Sequence, residues 1–573
     1  MEVKLRRLLG LLLAAAVLCL TLAGCGMRSD TLDELLYGED TYEPEPTGEY
    51  IRPLAEGWWF DYSSRADVEY SDMKDIVAGP YDGSYAELFR SYRDGGEYED
   101  FETAYFLAQD EVYRLYTYYT ILDIEYTAEP TDEAAAAVDE AYARWYDAAD
   151  ELDAALAYVS GGAGAALIDE GFGEGSAERF AAYVSEGDAS GDPGGYGRES
   201  ELIHSYNVAM TQPEPDVEQA AEIFVELVEL RNERAAAYGY SSCAEMEYYE
   251  TFYRSYSPQD VADSVWTQVK EHFVPLVEEY GEAASAELLE LYMAEDIDCS
   301  EESVMAALEY VAPRLSQDAA EALDYMRTYG LYDISLSGTK LNTGFTTTLY
   351  YFNEPYLFNA PMGDVDDYTD TFHEFGHFLN SYAVASDLLY GMPDTDLCEL
   401  QSQGMEMLFT YWYEDVFGEK YAEPMLLTTV YDMLCSVVDG AMYDEFQQRV
   451  YAEPELSAAR ACEIYQETAM EYGRYAGDEG RYDWVYVSHN FDYPFYYISY
   501  CLSAIPALEL YGRLQEDAVA AAELYMETVS LDPEVYYFED ALAECGYLDP
   551  FVMDSGAQIA EMLSEALSGL NKR

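Results

Sequence analysis

The sequence predicts a mainly α-helical protein interrupted once by a small β-sheet, and three observations carry that reading. Long stretches place apolar residues three and four apart between cap residues and glycines. One segment, 333–359, instead mixes Gly338, Gly344 and Pro355 with β-branched and aromatic runs, the pattern of a few short strands. Half of the 573 residues are apolar, enough to bury a sizeable core.

Residues 1–24 read as a signal peptide: Lys4, Arg6 and Arg7 precede an apolar run from Leu8 to Ala23, shorter than the ~20 residues a bilayer-spanning helix needs. The run ends in Leu22-Ala23-Gly24-Cys25, which resembles the bacterial lipoprotein box. That resemblance implies acylation of Cys25 and a mature body outside the cytoplasm, held to the membrane by lipid alone. Residues 25–56 are acidic and carry Pro44, Pro46 and Pro53, as a spacer would.

Residues 57–212 form an N-terminal helical region, in which Thr131 caps a run that stops at Gly161-Gly162 and a Gly-rich stretch follows near 172–199. Residues 213–573 form the second region. Its first helix shows the apolar face Val217, Ala220, Ala221, Phe224, Leu227 and Val228 and stops near Gly239, and Ser257, Pro258 and Asp260 then spell a capping box with proline at the first helical position. After the strands, Asp364 or Asp366 is placed to cap a helix containing "DTFHEFGHFLNSY", and helical patterns continue to the end. No segment beyond the signal reads as apolar enough to span a membrane.

Charge excludes one class of partner. Lys and Arg number 28 against 114 Asp and Glu, a balance of -86 that cannot neutralise a phosphate backbone, so nucleic acid is ruled out. Beyond Cys19 and Cys25, seven cysteines are scattered singly without a CxxC, which predicts free thiols rather than disulfides or a zinc ribbon.

His373 and His377 stand at i and i+4, so on a helix both imidazoles leave one face and can share a cation. Glu374 lies beside them as a base for water, and Gly376 leaves room for a neighbouring helix to approach. A catalytic zinc takes a third protein ligand. Glu399 begins a face continued by Gln403 and Glu406 on the next helical run, and Glu406, Asp396 and Asp394 are alternatives to it. His204 and His272 read as structural.

The run "EPYLFNAPMGDVDDYTDTFHEFGHFLNSY" resembles the M3 family of zinc metallopeptidases, the oligoendopeptidase F and thimet oligopeptidase group. Gly363 and Asp367 match the glycine and aspartate ahead of the family's histidine helix, and Glu399-Leu400-Gln401-Ser402 matches its Glu-x-x-Ser ligand pattern, which selects Glu399 over its acidic neighbours. The likeness runs from about Glu222 to Tyr511. It departs at Asp370 and at Met405-Glu406, positions read as touching neither the ligands nor the base. It implies a two-lobed, prolate helical body around a deep channel, one Zn2+ on His373, His377 and Glu399, and Glu374 as general base. In "VSHNFDYPFYYISYCLSA" it implies Tyr500 as oxyanion donor with His489 beside it, and Tyr493 and Tyr497 as substrate contacts. The expected activity is hydrolysis of internal bonds in short oligopeptides, with strand 356–359 pairing with the substrate. A peptide-binding lipoprotein without turnover, or a zinc peptidase of another family with the same ligands, are the rival expectations.

Overall fold

The computed structural model describes residues 51–54, 58–61, 66 and 68–568, apart from 173–174, 178–179, 182–195, 213, 295, 385–392, 475–476 and 478–479. The signal segment, Cys25, most of the spacer and most of the Gly-rich stretch lie outside the described residues. Ile51–Leu54 (β1), inside the span read as spacer, pairs antiparallel with Trp58–Asp61 (β2).

Helices account for most of the rest. Tyr98–Ala128 (α1) and Asp132–Ser160 (α2) pack on each other across a three-residue connection, with Thr131 Oγ1 accepting from Ala134 N at 3.1 Å as the cap. Their facing rings, Tyr116, Tyr119 and Trp145 among them, anchor a core of residues from Phe89 to Phe180. A larger core starts at Met73, takes Tyr113, Ile121 and Ile124 from α1, and continues to Leu567. Val217–Tyr238 (α3) ends at Gly239, whose φ of +93° closes the helix in the left-handed region. Ser257 and Asp260 form the capping box with Pro258 at the first helical position. All seven described cysteines are free, three of them buried.

The strand-rich segment folds into a three-stranded sheet ordered β3–β5–β4, with β3 at Tyr332–Asp333, β4 at Gly344–Leu349 and β5 at Glu354–Asn359. β5 pairs in parallel with β3 through Leu357 and Phe358, and antiparallel with β4 along its whole length. This corrects the expectation that 356–359 pairs with substrate: β5 is the central strand, buried at all six residues, with its backbone engaged on both sides.

The histidine helix, Asp366–Ala383 (α5), packs on β4 and β5 with one side and on Thr395–Phe409 (α6) with another. Its start differs in part from expectation: Val365 is the N-cap and makes no side-chain cap bond, while Asp364 Oδ1 accepts from the first helical N–H, that of Asp366, at 3.2 Å. The Asp367 carboxylate instead accepts from the backbone N–H groups of Met362, Gly363 and Asp364 at 2.7, 2.7 and 3.1 Å, and so ties down the loop leading in from β5. Gly363 has φ +75°, which explains a glycine there.

α6 in turn packs on Tyr497–Glu516 (α8), which crosses Ala422–Tyr451 (α7) where a Cβ on Gly440 would lie 2.6 Å from Tyr497 O. Contrary to the sequence expectation, α7 is long and apolar enough to cross a membrane, but 67% of that window is buried inside the protein, packed on Val274–Tyr292 (α4) and α8. It is a core helix.

Candidate metal centre

Because α5 presents His373 and His377 one turn apart, their ring centroids are 5.0 Å apart, nearly perpendicular at 81°. α6 is brought against this face by Gly376: a Cβ there would sit 2.6 Å from Gln401 O and 2.7 Å from Ser402 Cα, inside van der Waals contact with α6 backbone. The close approach places Glu399 Oε2 3.5 Å from His373 Nε2 and 4.0 Å from His377 Nε2. A tetrahedral Zn2+ with bonds of about 2.0–2.2 Å spaces its ligand atoms about 3.3–3.6 Å apart, so two imidazoles and a carboxylate converging in this way fit that ion. These three ligand atoms all lie within 4.8 Å of one another, and no second such group occurs among the described residues. Gly376→Ala is expected to force α6 away, costing about 1–3 kcal/mol of stability. Thermal unfolding combined with metal content checks this, with both falling together.

The other acidic candidates take different posts. Glu406 Oε1 lies 2.7 Å from His373 Nδ1, on the side of the ring away from Glu399, where it orients the imidazole and increases its basicity. The expectation that Met405-Glu406 touches no ligand is therefore corrected: one turn pair beyond Glu399, Glu406 returns to the same helix face and reaches the histidine from behind. Asp394 caps α6 through Leu397 N at 3.0 Å and also accepts from Phe538 N at 3.0 Å. Asp396 is fully buried against Arg254 and Tyr256. Asp370 is exposed, while His204 is exposed and His272 half-buried, both far in sequence and role from the cluster.

Glu374 is buried beside the triad, with Oε2 accepting from the Thr346 hydroxyl of β4 at 3.0 Å. Burial pushes its pKa up to about 7, with His373 and the Thr346 bond pulling the other way. Burial opposes charge on His373, yet the carboxylates of Glu406 and Glu399 raise its pKa to about 10, whereas burial and the neighbouring His373 hold His377 well below the usual value. The Glu399 carboxyl is raised by burial against the stabilising His373, Tyr496 and Ser402. Two imidazoles thus stand among three carboxylates, an arrangement in which the charge of a bound cation would offset much of the repulsion between Glu374, Glu399 and Glu406.

The segment after 488 closes the site. His489 lies in a short helix, His489–Asp492, with its ring 5.0 Å from Tyr496, 5.1 Å from Tyr497 and 6.0 Å from Tyr500. Burial lowers its pKa to about 4, so it is a neutral imidazole at pH 7. Tyr493 meets the same cluster at 6.5 Å from Tyr496. The link to the triad is Tyr496, whose hydroxyl donates to Glu399 Oε1 at 2.7 Å. The sequence pattern assigns no role to Tyr496 or Thr346 and offers Glu406 only as an alternative ligand. Tyr496 and Tyr500 at i and i+4 on one face were the signal that both belonged, but nothing in the spacing separated the one bound to Glu399 from the one beyond it.

A buried base beside a His/His/Glu cation site, on a helix packed between a small sheet and a second helix, defines a metallopeptidase. Residues 333–529 match the model for peptidase family M3. Structures of similar fold include a protein assigned to oligoendopeptidase F, at 20% identity over 89% of this chain and 98% of that one with a TM-score of 0.68. PZ peptidase A bound to an inhibitor is similar at 19% identity over 89% and 99% with a TM-score of 0.66. Metallocarboxypeptidase 1 of Trypanosoma cruzi is similar at 13% identity over 85% and 100% with a TM-score of 0.52. A search of curated proteins finds no match.

Proposed function

We propose that this chain is a zinc endopeptidase of short oligopeptides, anchored outside the cytoplasm by lipid on Cys25. The observation that carries the catalytic part is the convergence of His373 Nε2, His377 Nε2 and Glu399 Oε2 beside a buried Glu374. Zn2+ held there would supply Lewis acidity, polarising the scissile carbonyl and making water acidic enough to give up a proton at neutral pH. Glu374 takes that proton as water attacks the carbonyl carbon. It then passes the proton to the leaving amine. Thr346 holds the carboxylate in place through both steps.

In this reading Tyr500 and neutral His489 donate to the developing oxyanion, each from one O–H or N–H group. Tyr496 holds the ligand Glu399 instead, which supports giving the oxyanion role to Tyr500, one turn further on. Tyr493 and Tyr497 then line the substrate path. Peptide pairing moves from β5 to β4, the terminal strand of its sheet and the one bonded to the base, so an extended substrate along it would run past Glu374. A net charge of -86 favours basic over acidic peptides.

The shared fold does not separate internal from terminal cleavage, because one neighbour is a metallocarboxypeptidase. A ten-residue peptide blocked at both ends does. Internal cuts are expected by mass spectrometry; cutting confined to free-ended peptides contradicts the endopeptidase assignment. For the anchor, the mature N-terminus is expected to be an acylated Cys25, and an unmodified or uncleaved N-terminus contradicts it.

A further inference from the structure

Two buried residues near the site have backbone conformations that L side chains rarely adopt: Tyr253 at φ +51° and Phe495 at φ +69°. Neither is glycine, and observed strain of this kind invites a functional explanation. Phe495 immediately precedes Tyr496, whose hydroxyl binds Glu399. Tyr253 immediately precedes Arg254.

The two are joined by one side chain. Arg254 Nη1 donates to Phe495 O at 3.0 Å, and Nη2 donates to Ser499 Oγ at 2.7 Å. Its Nε lies 3.6 Å from Asp396 Oδ1, with both side chains fully buried, and Asp396 stands in the first turn of α6, three residues before Glu399. The guanidinium also sits 4.5 Å over the rings of Tyr248 and Phe252, and Phe252 packs edge-on against Tyr496 at 5.8 Å. From the other side Phe495 N donates to Gln447 Oε1 at 2.5 Å, so both backbone groups of the strained residue are held by buried side chains.

We propose that Arg254 is a positioning residue, which locks the Phe495–Ser499 turn to the α6 end carrying Glu399 and thereby fixes the Tyr496–Glu399 hydrogen bond. The ion pair with Asp396 is too long to be a strong bond, and a buried pair is in any case weak evidence for stability. What the fork does well is bridge three fixed points from one planar group. Lysine carries the charge but cannot span Phe495 O, Ser499 Oγ and Asp396 together.

This inference rests on the zinc peptidase reading, and its test separates the two. Full-length wild type, Arg254→Lys, Ser499→Ala, Tyr496→Phe and the doubles with Tyr496→Phe are compared for Zn2+ affinity, by chelator competition, and for kcat on a blocked peptide. Arg254→Lys is expected to lose about tenfold in both, as for other groups that orient a ligand. Ser499→Ala is expected to lose about threefold, less than Arg254→Lys, because the guanidinium keeps its bond to Phe495 O. In the Tyr496→Phe background each should cost less than about twofold further, because the bond they position is already gone. A purely structural role predicts the same loss in both backgrounds, and that outcome, or no loss at all, overturns the proposal. Should Arg254→Lys fail to fold, Ser499→Ala carries the same comparison. Wild type that binds no Zn2+ overturns the peptidase reading and this inference together, whereas additive losses in a wild type that binds Zn2+ and cuts peptide overturn the role of Arg254 alone.

Discussion

Glu374→Gln is expected to lower turnover of an internal peptide bond by about 10³-fold or more, the upper range for removal of a general base, while Zn2+ content stays at the wild-type level. The amide has the carboxylate's shape, so its carbonyl oxygen can still accept from Thr346, and none of the three proposed ligands is altered. What disappears is the ability to take a proton from water and return it to the amine. Because Glu374 lies among Glu399 and Glu406, removing its charge relieves repulsion and does not disturb folding. Unchanged turnover in a quenched-peptide assay would sink the base assignment.

The second large effect concerns which carboxylate is the ligand. Glu399→Ala is expected to abolish stoichiometric Zn2+ binding and activity together, since two imidazoles on one helix face do not make a catalytic site on their own. Glu406→Ala is expected to keep Zn2+ but bind it about 10–100-fold more weakly, because it only orients His373 through Nδ1. Metal content after dialysis distinguishes them. Loss of metal in Glu406→Ala with retention in Glu399→Ala would exchange their roles.

Much of this architecture was legible in the residues themselves. The i, i+4 histidines, the glycine that admits α6, the Ser257 box and the strand character of 333–359 are local properties, and each appears where its pattern put it. Relations between elements were not legible in the same way. Whether β5 is an edge or a centre depends on what β3 and β4 do, and β5's own residues say only that it is apolar.

Likewise, which tyrosine reaches Glu399 is set by a left-handed Phe495, a conformation no residue-type rule assigns to phenylalanine. At the start of α5 Asp364 takes one backbone N–H while Asp367 takes three, because the Asp367 carboxylate points back into a loop whose shape a sequence does not display. Glu406 was hidden by abundance: with 114 acidic residues, one more on a helix carries no signal until its distance to His373 is known.

One Zn2+ at His373, His377 and Glu399 is proposed to make this chain a peptidase. The most direct measurement strips the full-length protein of metal with a chelator and follows cleavage of a blocked, internally quenched peptide as Zn2+ is returned. Activity that is absent without metal and restored at one equivalent of Zn2+ per chain is the expected result. Full activity in protein shown to hold no metal would contradict zinc catalysis at this site.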